Sequence, residues 1–457
     1  MKNVKNNNHD LTNGKIFSKL LLVAAPIMLT SMVQMLHNLM DMFFLGLVGA
    51  EGLAAAGTAG MYLWLSMALL FICRMGAEVG VSQNVGSGDY EKARQFAENS
   101  IILSFILGIL FSVFVAVFRV QLVGFFNIPD QRVVYYSEQY LLFISPVFPF
   151  MYVKAVMTGI YNGYGNAKLP MIINSAGFLF NLIITPIFIF VLNLGVAGAA
   201  ISTTIAYIPP FFASIWALKK YKNRPFEEFN FFIKPSSQII KKIFKIGTPM
   251  GVESALFTFF TMFINRFIAS YGVEAIAVNR VGTQLESLTW LVGGGFATAV
   301  TAFIGQNYGA KKYDRLKEGF RVGMKTMFIY GLFVSIISII FARPLMSIFL
   351  HETNEIALGV SYMRILAFMQ LVACLEGVAA GAFRGKGNTI APSITSVTMN
   401  ALRVLIAYFL SLHLGLYGIW WGVVIGANIR GLWVVTWYYI SEKKMKENFN
   451  DDRAANN

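Results

Sequence analysis

Long apolar runs separated by short polar breaks fill the chain from residue 16 to residue 440. Stretches such as IILSFILGILFSVFVAVF (101–118) and MFIYGLFVSIISIIFA (327–342) approach or reach the roughly 20 residues a helix needs to cross a bilayer core. Reading the runs against Gly, Pro and charged residues predicts twelve spanning helices, at 16–47, 53–81, 96–119, 137–161, 169–192, 196–219, 240–270, 275–304, 319–342, 360–383, 390–412 and 416–440. The predicted fold class is therefore an all-α polytopic membrane protein.

The pattern also repeats. SQNVGSGDYEKAR (82–94) and GQNYGAKKYDR (305–315) set Gln83, Asn84, Gly86 and Tyr90 in register with Gln306, Asn307, Gly309 and Tyr313, an offset of 223 (306 minus 83). VGAEGLA (48–54) and YGVEAIA (271–277) keep that offset, as do Pro26 and Pro249. GIYNGYGNAKLP (159–170) matches GAFRGKGNTIAP (381–392) at offset 222, and NLGVAG (193–198) matches HLGLYG (413–418) at offset 220. Four blocks in one order imply two six-helix lobes, expected at 16–219 and 240–440, joined by a basic linker over 220–239. Because six is even, both lobes enter the membrane from the same side, a parallel repeat suited to rocking alternating access and hence to transport.

Composition sharpens this reading. Hydrophobic residues make up 56% of the chain and charged residues 13%, against about 25% charged in soluble domains. The polar start runs into an apolar segment too long for a signal-peptide core, so that segment is expected to stay as the first span. Cys73 and Cys374 sit in apolar surroundings, which argues against a disulfide or a cysteine metal site.

The formal net charge of +14 would suggest nucleic acid on a soluble domain, but here it alternates along the chain. Lys2, Lys5, Lys15, Lys19, Lys92, Arg94, Lys168, the cluster from Lys219 to Lys245, Lys311, Lys312, Arg315, Lys317, Arg384, Lys386, Lys443, Lys444 and Lys446 fall in one set of connections. The other set holds only Arg119, Arg132 and Arg343 among strong positives. The positive-inside rule then places both termini and the 219–245 connection in the cytoplasm of a multi-pass cell-membrane protein. Its expected partners are the lipid bilayer and small molecules, with no nucleic acid and no cofactor beyond a coupling ion, and it is expected to work as a monomer. No GxxxxGK[ST] loop is present, which argues against an ATP-driven pump. The four His include no HExxH, and the single DD lies at 451–452, so an intramembrane enzyme is disfavoured.

The run PIMLTSMVQMLHNLMDMFFLGLVGAEGLAA, then GTPMGVESALF, YGVEAIAVNR, GGGFATAVTAFIGQNYGAKKYDR and GAFRGKGN, resembles the multidrug and toxic compound extrusion (MATE) family over residues 16 to about 440. The resemblance implies a V-shaped pair of six-helix lobes that exports bulky organic cations against inward H+ or Na+. A lipid-linked oligosaccharide flippase of the same superfamily is the alternative, with Lys154, Arg266, Arg364 and Arg403 as the residues that favour it.

An ionised side chain at membrane depth costs roughly 3 kcal/mol or more, so each intramembrane carboxylate is a functional candidate. Asp41 shares a stripe with Gln34 and Asn38, at i, i+4 and i+7, with His37 alongside; Asn174, Asn181 and Thr185 form a matching stripe on the fifth predicted helix. These are expected to build a hydrated cation-coupling pocket, and the resemblance places an Asp here too. Glu253 and Glu376 lie on the two helices where NorM-type relatives carry acids, each displaced by about one turn, and are expected to face one another and share a proton or hold Na+. Glu286 resembles the acid some members use against cationic drugs, or else pairs with Arg280. Glu78 follows Arg74 by four residues, a spacing for mutual neutralisation. Trp64, Tyr152, Met157 and Trp290 are the expected aromatic and Met wall of the substrate site.

Overall fold

A computed structural model describes residues 9–221, 224–231 and 233–455. Lys2, Lys5 and Lys222 of the predicted cytoplasmic set lie outside these residues, as do the side chains of Lys444 and Lys446. In order, the helices are α1 (Ile16–Val48), α2 (Ala50–Gly86), α3 (Tyr90–Gly124), α4 (Gln131–Ile144), α5 (Val147–Tyr164), α6 (Lys168–Pro186) and α7 (Gly195–Lys220). Then come α8 (Ser237–Ala269), α9 (Val273–Gly309), α10 (Tyr313–Ile340), the short α11 (Ala342–Ser347), α12 (Thr353–Gly385), α13 (Ile390–Leu414) and α14 (Leu416–Ala455). Among the described residues there is no strand.

Eleven of these helices are long and apolar enough to span a bilayer, and α4 with α5 makes a twelfth, bent by 52° at Ser145–Pro146. Sequence predicted that span as one helix over 137–161. Proline explains the difference: Pro146 has no N–H to continue the ladder of α4, and it opens α5 as its N-cap instead. On the polar side of the bend, Asp130 caps α4 by accepting from the Arg132 N–H at 2.8 Å. Asp89 does the same for α3 through the Lys92 N–H at 3.0 Å.

The repeat is visible in the backbone. Left-handed residues occur at Gly49 and Gly272, at Gly88 and Lys311, at Gly165 and Gly387, and at Gly195 and Gly415, each pair at the offset of its own sequence block. Every pair ends or begins corresponding helices, where a positive φ lets the chain turn, at no steric cost where the residue is Gly. Lys311 occupies with φ 55° the place that Gly88 fills with φ 79°.

The chain divides into two compact units, Met1–Gly251 with Gly305–Lys312, and Val252–Ile304 with Tyr313–Asn457. Helix α8 therefore starts in the first unit and ends in the second, and the last turn of α9 belongs to the first. In the first unit α2 packs on α3, α4 and α5, and α6 packs between α1 and α7. Its core includes Phe111, Phe148, Tyr152, Ile160 and Tyr161. The second unit is built on α12, α13 and α14, around Trp420, Tyr362, Met369 and Val278. At membrane depth such side chains hold each unit together by close van der Waals packing rather than by removal from water, because lipid tails are as apolar as they are.

Candidate functional site

Helix α1 is continuous across Pro26 and brings Asp41 one turn beyond His37. The two side chains are partly buried, and His37 Nε2 stands 3.8 Å from Asp41 Oδ2. Among the described residues no Lys or Arg lies within ion-pair distance of Asp41. Tyr140 of α4 and Tyr207 of α7 stand close enough to feel its charge. The other stripe residues of α1, Gln34 and Asn38, are exposed.

The stripe on α6 is buried as a unit. Asn174 is 9% exposed, Asn181 2% and Thr185 1%. Thr185 Oγ1 is paired with Ser202 Oγ of α7 at 3.1 Å, while among the described residues Asn181 Nδ2 and Asn174 Oδ1 have no hydrogen-bond partner. Buried amides are costly without partners, so these two are ready acceptors and donors for water or a ligand. Helix α6 packs against α1 and carries Phe178, which meets the edge of His37 at 5.9 Å. Asn174 also lines a small cavity with Lys154, Met157, Thr158 and Tyr161. The Lys154 ammonium sits 4.3 Å over the ring of Tyr207.

The second unit treats its acids differently. Arg430 of α14 grips Glu376 of α12 with both edges of its guanidinium: Nη2 donates to Oε2 at 2.9 Å, and Nε stands 2.8 Å from Oε1. Its Nη1 donates to Asn400 Oδ1 at 3.2 Å. Glu253 of α8 accepts from Ser393 Oγ at 2.8 Å and pairs with Arg384 Nη2 at 3.6 Å. Glu253 and Glu376 thus lie within electrostatic reach of each other, but each is held by its own arginine. Arg403, on α13, donates to Thr261 Oγ1 at 3.2 Å and lies over Phe257 at 5.4 Å.

Glu286 is 9% exposed and its partner is the Tyr362 hydroxyl. Among the described residues it makes no ion pair with Arg280. In the first unit, Glu78 is buried with Arg74 Nε at 3.9 Å, the neutralising pair that the spacing predicts.

The expected substrate wall separates into two kinds of residue. Trp64 is 67% exposed and Trp290 46%, so both are available to a ligand or to lipid. Tyr152 is fully buried with its hydroxyl donating to the Ser66 carbonyl at 2.8 Å, and Met157 is core apart from its face on the small cavity. Tyr152 is therefore a packing residue: its ring stacks edge-on with Phe148 at 6.3 Å, and its only polar atom is satisfied internally. Sequence reasoning missed Tyr140, Tyr207 and Arg430. Arg430 was findable, because a guanidinium in the middle of an apolar span requires a carboxylate partner.

The MatE family profile matches residues 26–187 and again 249–409, once in each half of the repeat. A probable multidrug resistance protein, NorM of Thermotoga maritima, is 25% identical over 420 residues, covering 90% of this chain and 89% of that protein. The multidrug export protein MepA of Staphylococcus aureus is 21% identical over 433 residues, covering 94% and 95%. Among solved structures, a MATE transporter in complex with MaD3S superposes with a TM-score of 0.90 at 24% identity, over 96% of this chain and 99% of that one. An outward-facing multidrug resistance MATE transporter superposes with a TM-score of 0.89 at 24% identity, over 98% and 100%. The likeness to these structures establishes the twelve-helix fold. With both halves matched by one profile and apolar helices sufficient for eleven or twelve spans, the chain is a multi-pass membrane protein and belongs to the MatE family of multidrug efflux transporters, which are not enzymes.

Proposed function

We propose that this chain exports organic cations in exchange for inward protons, with Asp41 as the group that loads and releases the coupling ion. The carrying observation is a difference in counterions: among the described residues Asp41 has no Lys or Arg within ion-pair distance and only the imidazole of His37 at 3.8 Å, whereas Glu78, Glu253 and Glu376 each have an arginine. A carboxylate already neutralised by a fixed guanidinium gains little from a mobile cation. One without such a partner must take up a proton or a metal ion to remain in a low-dielectric medium. The proton is favoured because His37 sets an imidazole nitrogen 3.8 Å from the carboxylate, and because the exposed amides of Gln34 and Asn38 can hold a water path along α1.

Substrate breadth is supported by the multidrug names of the relatives, and Trp64 and Trp290 offer exposed π faces to organic cations. Glu286 is the acid best placed to attract a cation from within the second unit, since tyrosine rather than arginine holds it. The termini are assigned to the cytoplasm by the distribution of Lys and Arg, and the two compact units are suited to move as the bodies of a rocking carrier. The test is ethidium efflux from vesicles under an imposed pH gradient or an imposed Na+ gradient. Efflux driven by the pH gradient and lost in Asp41→Asn supports the proposal. Efflux driven by Na+ alone overturns the proton assignment, efflux driven by neither overturns antiport, and full activity of Asp41→Asn removes that residue from coupling.

A further inference from the structure

The asparagine of the doubled Gln-Asn motif does different work in its two copies. In the first, Asn84 turns back on its own helix and donates to the Gly80 carbonyl at 2.7 Å. In the second, both amides reach a segment almost 300 residues away, His9 to Asn13. Leu11 is fully buried there; its N–H donates to Gln306 Oε1 at 3.0 Å and its carbonyl accepts from Asn307 Nδ2 at 3.2 Å. Gln306 Nε2 donates in turn to the Gly163 carbonyl at 2.9 Å, so one side chain ties the segment to the end of α5. Lys312 donates to the Thr12 carbonyl at 2.9 Å, to Thr12 Oγ1 at 3.2 Å and to Asn13 Oδ1 at 3.0 Å, acceptors enough for all three ammonium protons.

The segment is shaped for this seat. Asp10 accepts from the Thr12 N–H at 2.8 Å and from Asn13 Nδ2 at 2.7 Å, which curls the chain around Leu11. His9 lies against the Tyr164 ring at 5.7 Å, and its carbonyl occupies the place where a side chain on Gly165 would go. The two copies of the motif also pack on one another. A methyl group on Gly86 would strike the Gln306 backbone, and one on Gly309 would strike the Gln83 backbone. Both backbone groups of a buried residue are satisfied here by adjacent side chains, which is a binding site for an extended peptide.

Its position gives the site a role. Helix α9 lies in the second unit as far as Ile304, and its last turn, from Gly305, lies in the first. The segment therefore grips the only part of α9 that belongs to the first unit. Any displacement of the rest of α9 relative to that unit must bend the helix near Ile304 or pull Gln306 and Asn307 from Leu11. We propose that residues 9–13 are a releasable strap, bound by Gln306, Asn307 and Lys312, that fastens the end of α9 to the first unit and must let go once in every transport cycle. The strap goes beyond the proposed antiport and uses that reading only for one readout.

The test locks the strap in the full-length protein. Asn13→Cys with Lys312→Cys is bridged by a bis-maleimide with a reducible link; Cys73 and Cys374 are both buried and stay unreacted. Ethidium efflux by the bridged double variant should fall at least about tenfold below that of the same variant left unbridged, and return to the unbridged rate on reduction, as for a carrier limited by a gating step. Full-rate efflux by the bridged protein overturns the proposal. A second readout needs no efflux at all: a spin label on Thr12→Cys should be immobile at rest and become mobile when ethidium and a pH gradient are supplied. A label that stays immobile through turnover also overturns it. Should the unmodified protein move no ethidium, the functional reading fails, and label mobility with any other transported cation still decides the strap.

Discussion

Asp41 in the first unit and Glu376 in the second are both carboxylates on apolar helices, yet they are stabilised in opposite ways. Glu376 has a bidentate arginine, held further by Asn400, and behaves as part of the scaffold. Asp41 has a histidine nitrogen at 3.8 Å and two tyrosines nearby, and among the described residues no Lys or Arg stands within ion-pair distance of it. The lesson is that a buried acid is a coupling candidate in proportion to the neutralisation its own fold withholds. Proximity of two acids is a poorer guide, since Glu253 and Glu376 lie within electrostatic reach of each other but each is already answered by an arginine.

The comparison can be broken in four ways. The largest effect is expected from Arg430→Met, which leaves Glu376 buried without its cation and should cost about 3–5 kcal/mol, while Arg430→Met with Glu376→Leu should recover most of it. Thermal unfolding in detergent measures both, and equal melting of single and double variants would refute a structural pair. Next, Asp41→Asn should change stability by no more than about 1 kcal/mol, because no fixed ion pair is lost, yet abolish gradient-driven efflux. A large melting shift in that variant would place Asp41 with the scaffold. Glu253→Gln should fall between the two, at about 1–2 kcal/mol, since Ser393 can still donate to the amide oxygen and Arg384 is partly solvated.

The smallest effect concerns the strap and pH. Burial pushes His9 below its ordinary value, against a hydrogen bond to the Gly165 backbone and with help from Lys19. Burial would raise Asp10, but hydrogen bonds from Thr12 and Asn13 and the charge of Lys312 outweigh it and hold the carboxyl low. Among the described residues, the phenols of Tyr164 and Tyr90 also face the segment. Both shifts have the same sign: docking is at full strength above about pH 6.5, weakens as pH falls and His9 must charge, and weakens again as Asp10 protonates. The Thr12→Cys spin label should therefore become more mobile at acid pH, and His9→Phe should flatten the upper part of that response.

Much of the architecture was legible in the chain. Apolar runs of bilayer length gave every predicted span to within a few residues at most boundaries, because a lipid-facing helix has no other way to satisfy its backbone. Glycines at matched offsets predicted the turns, which the left-handed pairs now explain. The break at Ser145–Pro146 was not legible, since a proline in an apolar run signals a kink or a stop equally well. The acid on α1 was legible from periodicity, but its counterions were not. Whether Glu376 meets Arg430, 54 residues on, depends on how α12 and α14 pack, and no local pattern encodes that. Residues 9–13 read as a polar leader because their partners lie at the far end of the fold.

One detail of α6 sets the two halves of the repeat apart. Gly165 and Gly387 stand 222 residues apart, Gly195 and Gly415 only 220, so the first half holds two more residues over this stretch than the second. In the second half α13 runs unbroken from Ile390 to Leu414, whereas α6 ends at Pro186 and the chain opens into a wide π turn over Ile187–Val191. A π turn takes up surplus length without swinging the residues before it around the axis. The turn lies beyond Asn181 and Thr185, so the local rewinding of the backbone leaves the aim of those two side chains to the regular helix before it.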